Sequence, residues 1–105
     1  MGLESIVVAT KVRIKLAKLV RILYKKEYFG FWDSAEKYVD SIYQTIYKIP
    51  DLKHAKSANS EMGTFYVRHK ANKSTTYYIF FDKKGNRYLV RNILTNHEQE
   101  YENML

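Results

Sequence analysis

The side chains able to do chemistry in this chain are cations, phenols and three imidazoles: 18 Lys and Arg, ten Tyr and three His, with no Cys. Without Cys there are no disulfides and no thiolate metal sites. His54, His69 and His97 are well separated and show no metal-ligand spacing, so neither a metal nor another cofactor is expected. Arg68 and Arg91 can each grip a phosphate or carboxylate through two parallel hydrogen bonds. The imidazole of His97 can take or give a proton. Tyr66, Tyr78 and Tyr88 offer flat rings on which a base can stack. The net charge of +7 points the same way: a small basic body favours nucleic acid, an anionic surface or an acidic protein partner. The ordinary alternative is a solvated basic surface that serves solubility.

These residues need a scaffold, and most of it lies in residues 63–97. Three aromatic and β-branched runs (residues 65–70, 76–81 and 87–94) are separated by two turn-forming clusters. Lys83-Lys84-Gly85-Asn86 supplies a Gly for a three- or four-residue hairpin loop, and Ala71-Asn72-Lys73-Ser74 is a weaker turn. The spacing predicts a three-stranded antiparallel meander. Its middle run, Tyr77-Tyr78-Ile79-Phe80-Phe81, is apolar on both alternating faces and reads as a central strand. Strict alternation in the last run places Arg87, Leu89, Arg91 and Ile93 on one face, and Tyr88, Val90 and Leu94 on the other. One face of the meander is expected to pack on the core. The other is expected to display Arg, Lys and Tyr, with Lys70 and Arg87 beside Arg68 and Tyr66.

The first half supplies the cover. Residues 4–9 read as a short strand at an edge of the meander. Thr10 is expected to cap a helix running from Lys11 to about Tyr28, in which Val12, Leu16, Leu19, Val20 and Leu23 share one face. Lys11, Lys15, Lys18 and Lys25 lie opposite, and no acid interrupts residues 5–26. They form either a solvated face or a docking stripe. Gly30 is expected to break the helix, and the aromatic cluster of residues 28–32 to plug the core. Asp33 with Glu36 resembles a capping box for a second helix. Its stripe (Ala35, Tyr38, Val39, Ile42, Ile46, Ile49) is the strongest amphipathic signal in the chain, and Pro50 closes it. The connector that follows, residues 51–62, is polar and carries Lys53, His54 and Lys56.

A length of 105 residues fits a single domain spanning 1–105, with an acidic tail at 98–105. The fold class expected is α+β: an N-terminal strand and an antiparallel helix hairpin, packed on a small antiparallel sheet. Ile6-Val7-Val8-Ala9 is too short for a secretion leader, and no apolar run reaches membrane-spanning length. No membrane association and a cytoplasmic location are the expectation.

This order of elements resembles the RelE/ParE superfamily of type II toxin–antitoxin toxins, over nearly the whole chain. Four stretches carry the resemblance. Residues 6–9 are similar to the family's first strand. Residues 34–50 are similar to its second helix and the "L-x-x-x-P" that follows. Thr76-Tyr77-Tyr78-Ile79-Phe80-Phe81 sits at the "Y-R-I-x-Y" strand, and residues 91–97 at a last strand ending in "H-x-R". The resemblance implies a toxin neutralised by a cognate antitoxin that wraps an extended or helical segment over the basic surface. The assembly is then a homodimer or a toxin–antitoxin hetero-oligomer. It implies one of two targets: mRNA on the ribosome, cut without a metal ion, or DNA gyrase. A third reading is an inactive relative that only binds its antitoxin.

By the same resemblance Arg68 is the sheet arginine, Lys53 and Lys56 are the connector cations, and His97 closes the last strand. Tyr101 sits about two positions out of register for the family's C-terminal Tyr. Tyr78 stands where the family has Arg, which favours inhibition of a protein target over RNA cleavage. Cleavage would use His97 for proton transfer, and Arg68 and Arg91 for the crowded phosphate.

Overall fold

Two amphipathic stripes and one apolar strand organise the fold. The computed structural model describes residues 4–25 and 32–98, apart from the side chains of 32 and 33. The Gly30 break, the aromatic cluster, the Asp33–Glu36 capping box, Tyr101 and the acidic tail past Glu98 lie outside the described residues. The class is α+β. The described elements are β1 (Ser5–Val8), α1 (Thr10–Lys25), α2 (Trp32–Tyr47), a 3₁₀ turn (Ile49–Asp51), β2 (Ala55–Lys56), β3 (Phe65–Lys70), β4 (Thr76–Lys84) and β5 (Arg87–Thr95). Among the described residues no helix is long and apolar enough to cross a membrane.

Helix α1 starts at Thr10, one residue earlier than expected. The carbonyl of Ala9 accepts from the amides of Val12 and Arg13, so Ala9 occupies the capping position and Thr10 is already helical. In α2 the predicted stripe is buried except at Tyr38, which is half-buried: Ala35, Val39, Ile42 and Ile46 are all in the core, as is Ile49 in the turn that follows. Pro50 sits inside that 3₁₀ turn, where its missing amide and fixed φ are tolerated.

The sheet has five strands in the order β1-β5-β4-β3-β2. The meander β3-β4-β5 is antiparallel as expected, while β1 joins the outer side of β5 in parallel, pairing Ile6 with Tyr88 and Val8 with Val90. The sheet is therefore mixed, not purely antiparallel. The connector contributes a two-residue strand, β2, pairing Ala55 with Tyr66. The β4-β5 loop is shorter than expected: Lys84 pairs with Arg87, leaving only Gly85 and Asn86, with Gly85 at φ +60°.

Alternation along β5 fails at one place. The register slips between Phe80 and Phe81, which face Asn92 and Val90, so Arg91 is an extra residue. Such a bulge flips the parity of everything after it. Tyr88, Val90 and Ile93 thus share the helix-covered face and join the core with Ile79, Phe81, Leu16 and Ile42. This corrects the expected pairing of Ile93 with Arg87 and Arg91, and of Leu94 with Val90.

Strand β4 is covered on both sides. Ile79 and Phe81 meet the helices, yet Phe80, pointing the other way, is also 0% exposed. Its cover is the connector between β2 and β3. Gly63 lies so close that a Cβ there would sit 2.9 Å from the Phe81 amide nitrogen and 3.0 Å from the Phe80 Cβ, at φ +156°. Tyr66 flanks Phe80, with ring centroids 5.6 Å apart. Together they make a second, smaller core on the reverse of the sheet.

Gly63→Ala must both clash and adopt a disfavoured φ, and is expected to cost about 2–4 kcal/mol in denaturant unfolding. Gly85→Asn meets open space at a φ that Asn tolerates, and should cost less than about 1 kcal/mol in the same measurement.

Candidate polyanion-binding groove

The reverse face of the sheet is divided by the connector. Arg91 donates to the carbonyls of Ser60 (3.3 Å) and Glu61 (3.0 Å), and to Asp82 Oδ2 (3.1 Å). Asn92 Nδ2 donates to the carbonyl of Met62 at 2.6 Å. The other Asp82 oxygen accepts from the Thr64 amide and hydroxyl at 2.9 and 2.8 Å. Burial pushes the Asp82 carboxyl up, but the two Thr64 bonds and the Arg91 guanidinium outweigh it and hold the group below the usual carboxylate range. Arg91 is thus committed to holding the connector across the sheet and is not presented to a phosphate.

Where the chain enters the two-residue strand β2, a groove of about 310 Å³ opens against β3. Its lining includes Lys53, His54, Tyr66 and Arg68. The Arg68 guanidinium lies 5.7 Å from the centre of the Tyr66 ring, a cation–π contact that orients it. The His54 ring stands edge-on to Phe65 and Phe81, at 4.8 and 5.5 Å. Those two rings hold the imidazole on the helix-covered side of the sheet edge, whereas the Tyr66 and Arg68 side chains point to the reverse face. Lys53 and Arg68 can hold an anion in the groove, and His54 stands at its edge.

His54 is the residue that sequence reasoning missed. It was considered only as a metal ligand, and the signal that places it is the cross-strand pair Phe65 and Phe81 on adjacent strands, 16 residues apart in sequence, which no local motif displays.

The other predicted residues fall into separate places. Tyr78 and Leu94 flank Arg68's row on the reverse face, since Arg68 pairs with Tyr78 and Tyr78 with Leu94. Lys70 is exposed two residues further along the same side of β3. Arg87 is exposed at the opposite end of the sheet, next to the β4-β5 turn. Lys56 alternates with Ala55 and points to the other face at the β2 edge. Arg91 lies three residues from Leu94, roughly 10 Å along β5, and two strands from Arg68, roughly 10 Å across. His97 is on the helix side: with Leu23, Tyr38, Asn72, Thr75, Tyr77 and Thr95 it lines a cleft of about 510 Å³, sharing a 3.0 Å hydrogen bond with Thr75. Arg68, Arg91 and His97 therefore do not converge on one point.

The helix α1 cations are also split. Lys15 Nζ donates to the Ile93 carbonyl at 2.6 Å and to Glu98 at 2.8 Å, so it is engaged within the chain. Lys11, Lys18 and Lys25 are exposed, on the helix-covered side and away from the groove.

A polar chain links α2 to the sheet. His69 shares hydrogen bonds with Thr45 (2.7 Å) and Ser41 (3.4 Å). Beside it, Tyr38 and Tyr77 share one of 3.2 Å. Burial, then the bond to Tyr38, pushes the Tyr77 hydroxyl far above the usual phenol range. Comparison with protein-family models, curated proteins and solved structures finds no match to this chain.

Burial lowers the His69 pKa from 6.5. Below that value the unfolded chain binds a proton that the folded chain resists, so stability falls as pH drops below 6.5 and is retained above it. Denaturant unfolding across that range should show this slope, and His69→Gln should flatten it.

Proposed function

We propose that this chain is the toxin of a type II toxin–antitoxin module of the RelE/ParE kind, acting on translation or on DNA gyrase through the groove at Lys53, His54 and Arg68. The order of elements supports the reading: a first strand laid parallel beside the last, two helices on one face, and a meander whose reverse carries cations and tyrosines. The observation that carries it is the clustering of two cations, one imidazole and a guanidinium-stacked phenol around one groove.

That groove suits a phosphate ester. Arg68 and Lys53 supply charge to the phosphate oxygens, while Tyr66 orients Arg68. In the nuclease reading His54, which lines the same groove, supplies the proton transfer, a contribution of about 10²–10⁴ in rate when a general acid or base is well positioned. This favours metal-independent RNA cleavage more than the sequence alone did, with His54 in the role first given to His97. Tyr78, standing where the family has Arg, supports the alternative: a surface that holds a protein target such as gyrase without cutting RNA. In either case the cognate antitoxin is an acidic partner that neutralises the groove.

Two assays separate the readings. With ribosomes and mRNA, the nuclease reading predicts cleavage that His54→Ala reduces at least about 100-fold and His97→Ala leaves nearly unchanged. Intact mRNA together with blocked gyrase supercoiling supports the other reading, and no effect in either assay contradicts both. Arg68→Ala should weaken RNA binding by about 1.5–3 kcal/mol and lower the salt slope by about 1.

A further inference from the structure

The outer side of α1 takes no part in the groove at Arg68, yet it is strongly charged. Lys15 is engaged with the Ile93 carbonyl and Glu98, and Arg13 Nε donates to the Val8 carbonyl at 3.3 Å. Lys11, Lys18, Arg21 and Lys25 are exposed and enter no ion pair among the described residues. At about 100° per residue these four fall within an arc of about 80°, opposite the buried Val12 and Leu16. Ile14 lies inside the same arc and Ile22 at its edge. Both are exposed, at 49% and 47%. Lys11 to Lys25 therefore forms a straight ridge about 21 Å long. Acids keep to its flanks: Glu98 meets Lys15 on one side, while Glu36 and Asp40 line the α1–α2 cleft with Arg13 on the other. No acid occurs in residues 5–26.

We propose that this ridge docks on the surface of an anionic lipid bilayer. Lys11, Lys18, Arg21 and Lys25 meet the charged headgroups, and Ile14 and Ile22 enter the boundary with the acyl chains. The mixture of side chains selects this partner. A nucleic-acid backbone rewards the cations, but its bases ask for flat rings, not for two isoleucines. An acidic protein would have to offer a trough shaped to a convex ridge, whereas headgroups rearrange around one. The placement of the acids agrees, since Glu36, Asp40 and Glu98 stand to either side of the contact and not beneath it. A surface contact needs no spanning run, so the lack of a membrane-crossing helix among the described residues does not bear on it. The inference stands apart from the toxin reading, because Tyr66 and Arg68 point to the other face of the sheet.

Co-sedimentation of the full chain with vesicles tests this. One set is phosphatidylcholine alone, and the other holds equal parts of phosphatidylcholine and phosphatidylserine. Three variants are compared: Lys18→Gln with Lys25→Gln, Ile14→Gln alone, and a control of equal charge away from the ridge, Lys73→Gln with Lys84→Gln. All five side chains are exposed, and circular dichroism checks that each variant folds. The chain is expected on the phosphatidylserine vesicles only. The ridge pair should weaken that binding at least about tenfold, because each cation near the surface contributes about fivefold. Ile14→Gln should weaken it about threefold or more, and the control less than about twofold, its charges lying beyond the screening length. Binding of a single-stranded RNA oligonucleotide should not change in the ridge pair. No partition onto phosphatidylserine would overturn the proposal and leave the ridge to solvent or an acidic protein. So would a control that weakens binding as much as the ridge pair, or an Ile14→Gln variant that binds as before. RNA binding that falls as steeply as vesicle binding in the ridge pair would overturn it in favour of a nucleic-acid face.

Discussion

Strand β4 has to be buried on both faces, and the rest of the structure follows from how that is met. Ile79 and Phe81 are covered by two amphipathic helices, the usual solution for one face of a small sheet. Phe80 points to the other face, where no helix is available among the described residues. Burying a Phe side chain is worth about 1.5–3 kcal/mol, enough to recruit a segment that is itself polar. The connector between β2 and β3 fills this role, drawn across the sheet by Arg91 and Asn92, which satisfy three of its carbonyls. Those bonds carry the desolvation cost that an irregular backbone would otherwise incur against an apolar surface.

The cover and the groove lie at opposite ends of β2. Because the connector must reach β5 at Arg91, it leaves the edge of the sheet after only two residues of pairing with β3. At the other end of β2, where the chain arrives from the 3₁₀ turn, the edge of β3 beside Val67 and Arg68 is left to the groove that Lys53 and His54 also line. Two of the cations that sequence reasoning assigned to ligand contact, Arg91 and Lys15, are consumed in holding the chain to itself. One fastens the connector and the other closes the free end of β5. The positive charge left for a partner is correspondingly more local than a net charge of +7 suggests.

What was legible in the sequence was whatever repeats with a fixed period. The α2 stripe from Ala35 to Ile49 and the three meander strands were readable because burial imposes periods of 3.6 and 2 on side chains. The bulge at Arg91 was not, since one inserted residue leaves both halves of the pattern intact and changes only their phase. The clamp was hidden for another reason. What Arg91 and Asn92 recognise are carbonyls of Ser60, Glu61 and Met62, and any residue supplies a carbonyl. The candidate site was half legible. Lys53 and Arg68 were marked by charge and by resemblance, whereas His54 owes its position to Phe65 and Phe81, and His97 was drawn to the other face by Thr75.

The central claim is that Arg91 is a fastener, holding the connector over Phe80. Native-state hydrogen exchange on Arg91→Met tests it most directly, because Met keeps the apolar stem and loses the donors. The account predicts faster exchange at the amides of residues 61–64 with the protection of β3 and β4 preserved, as expected for opening of a local unit. Unchanged exchange in the connector, or loss of protection throughout the sheet, would contradict it.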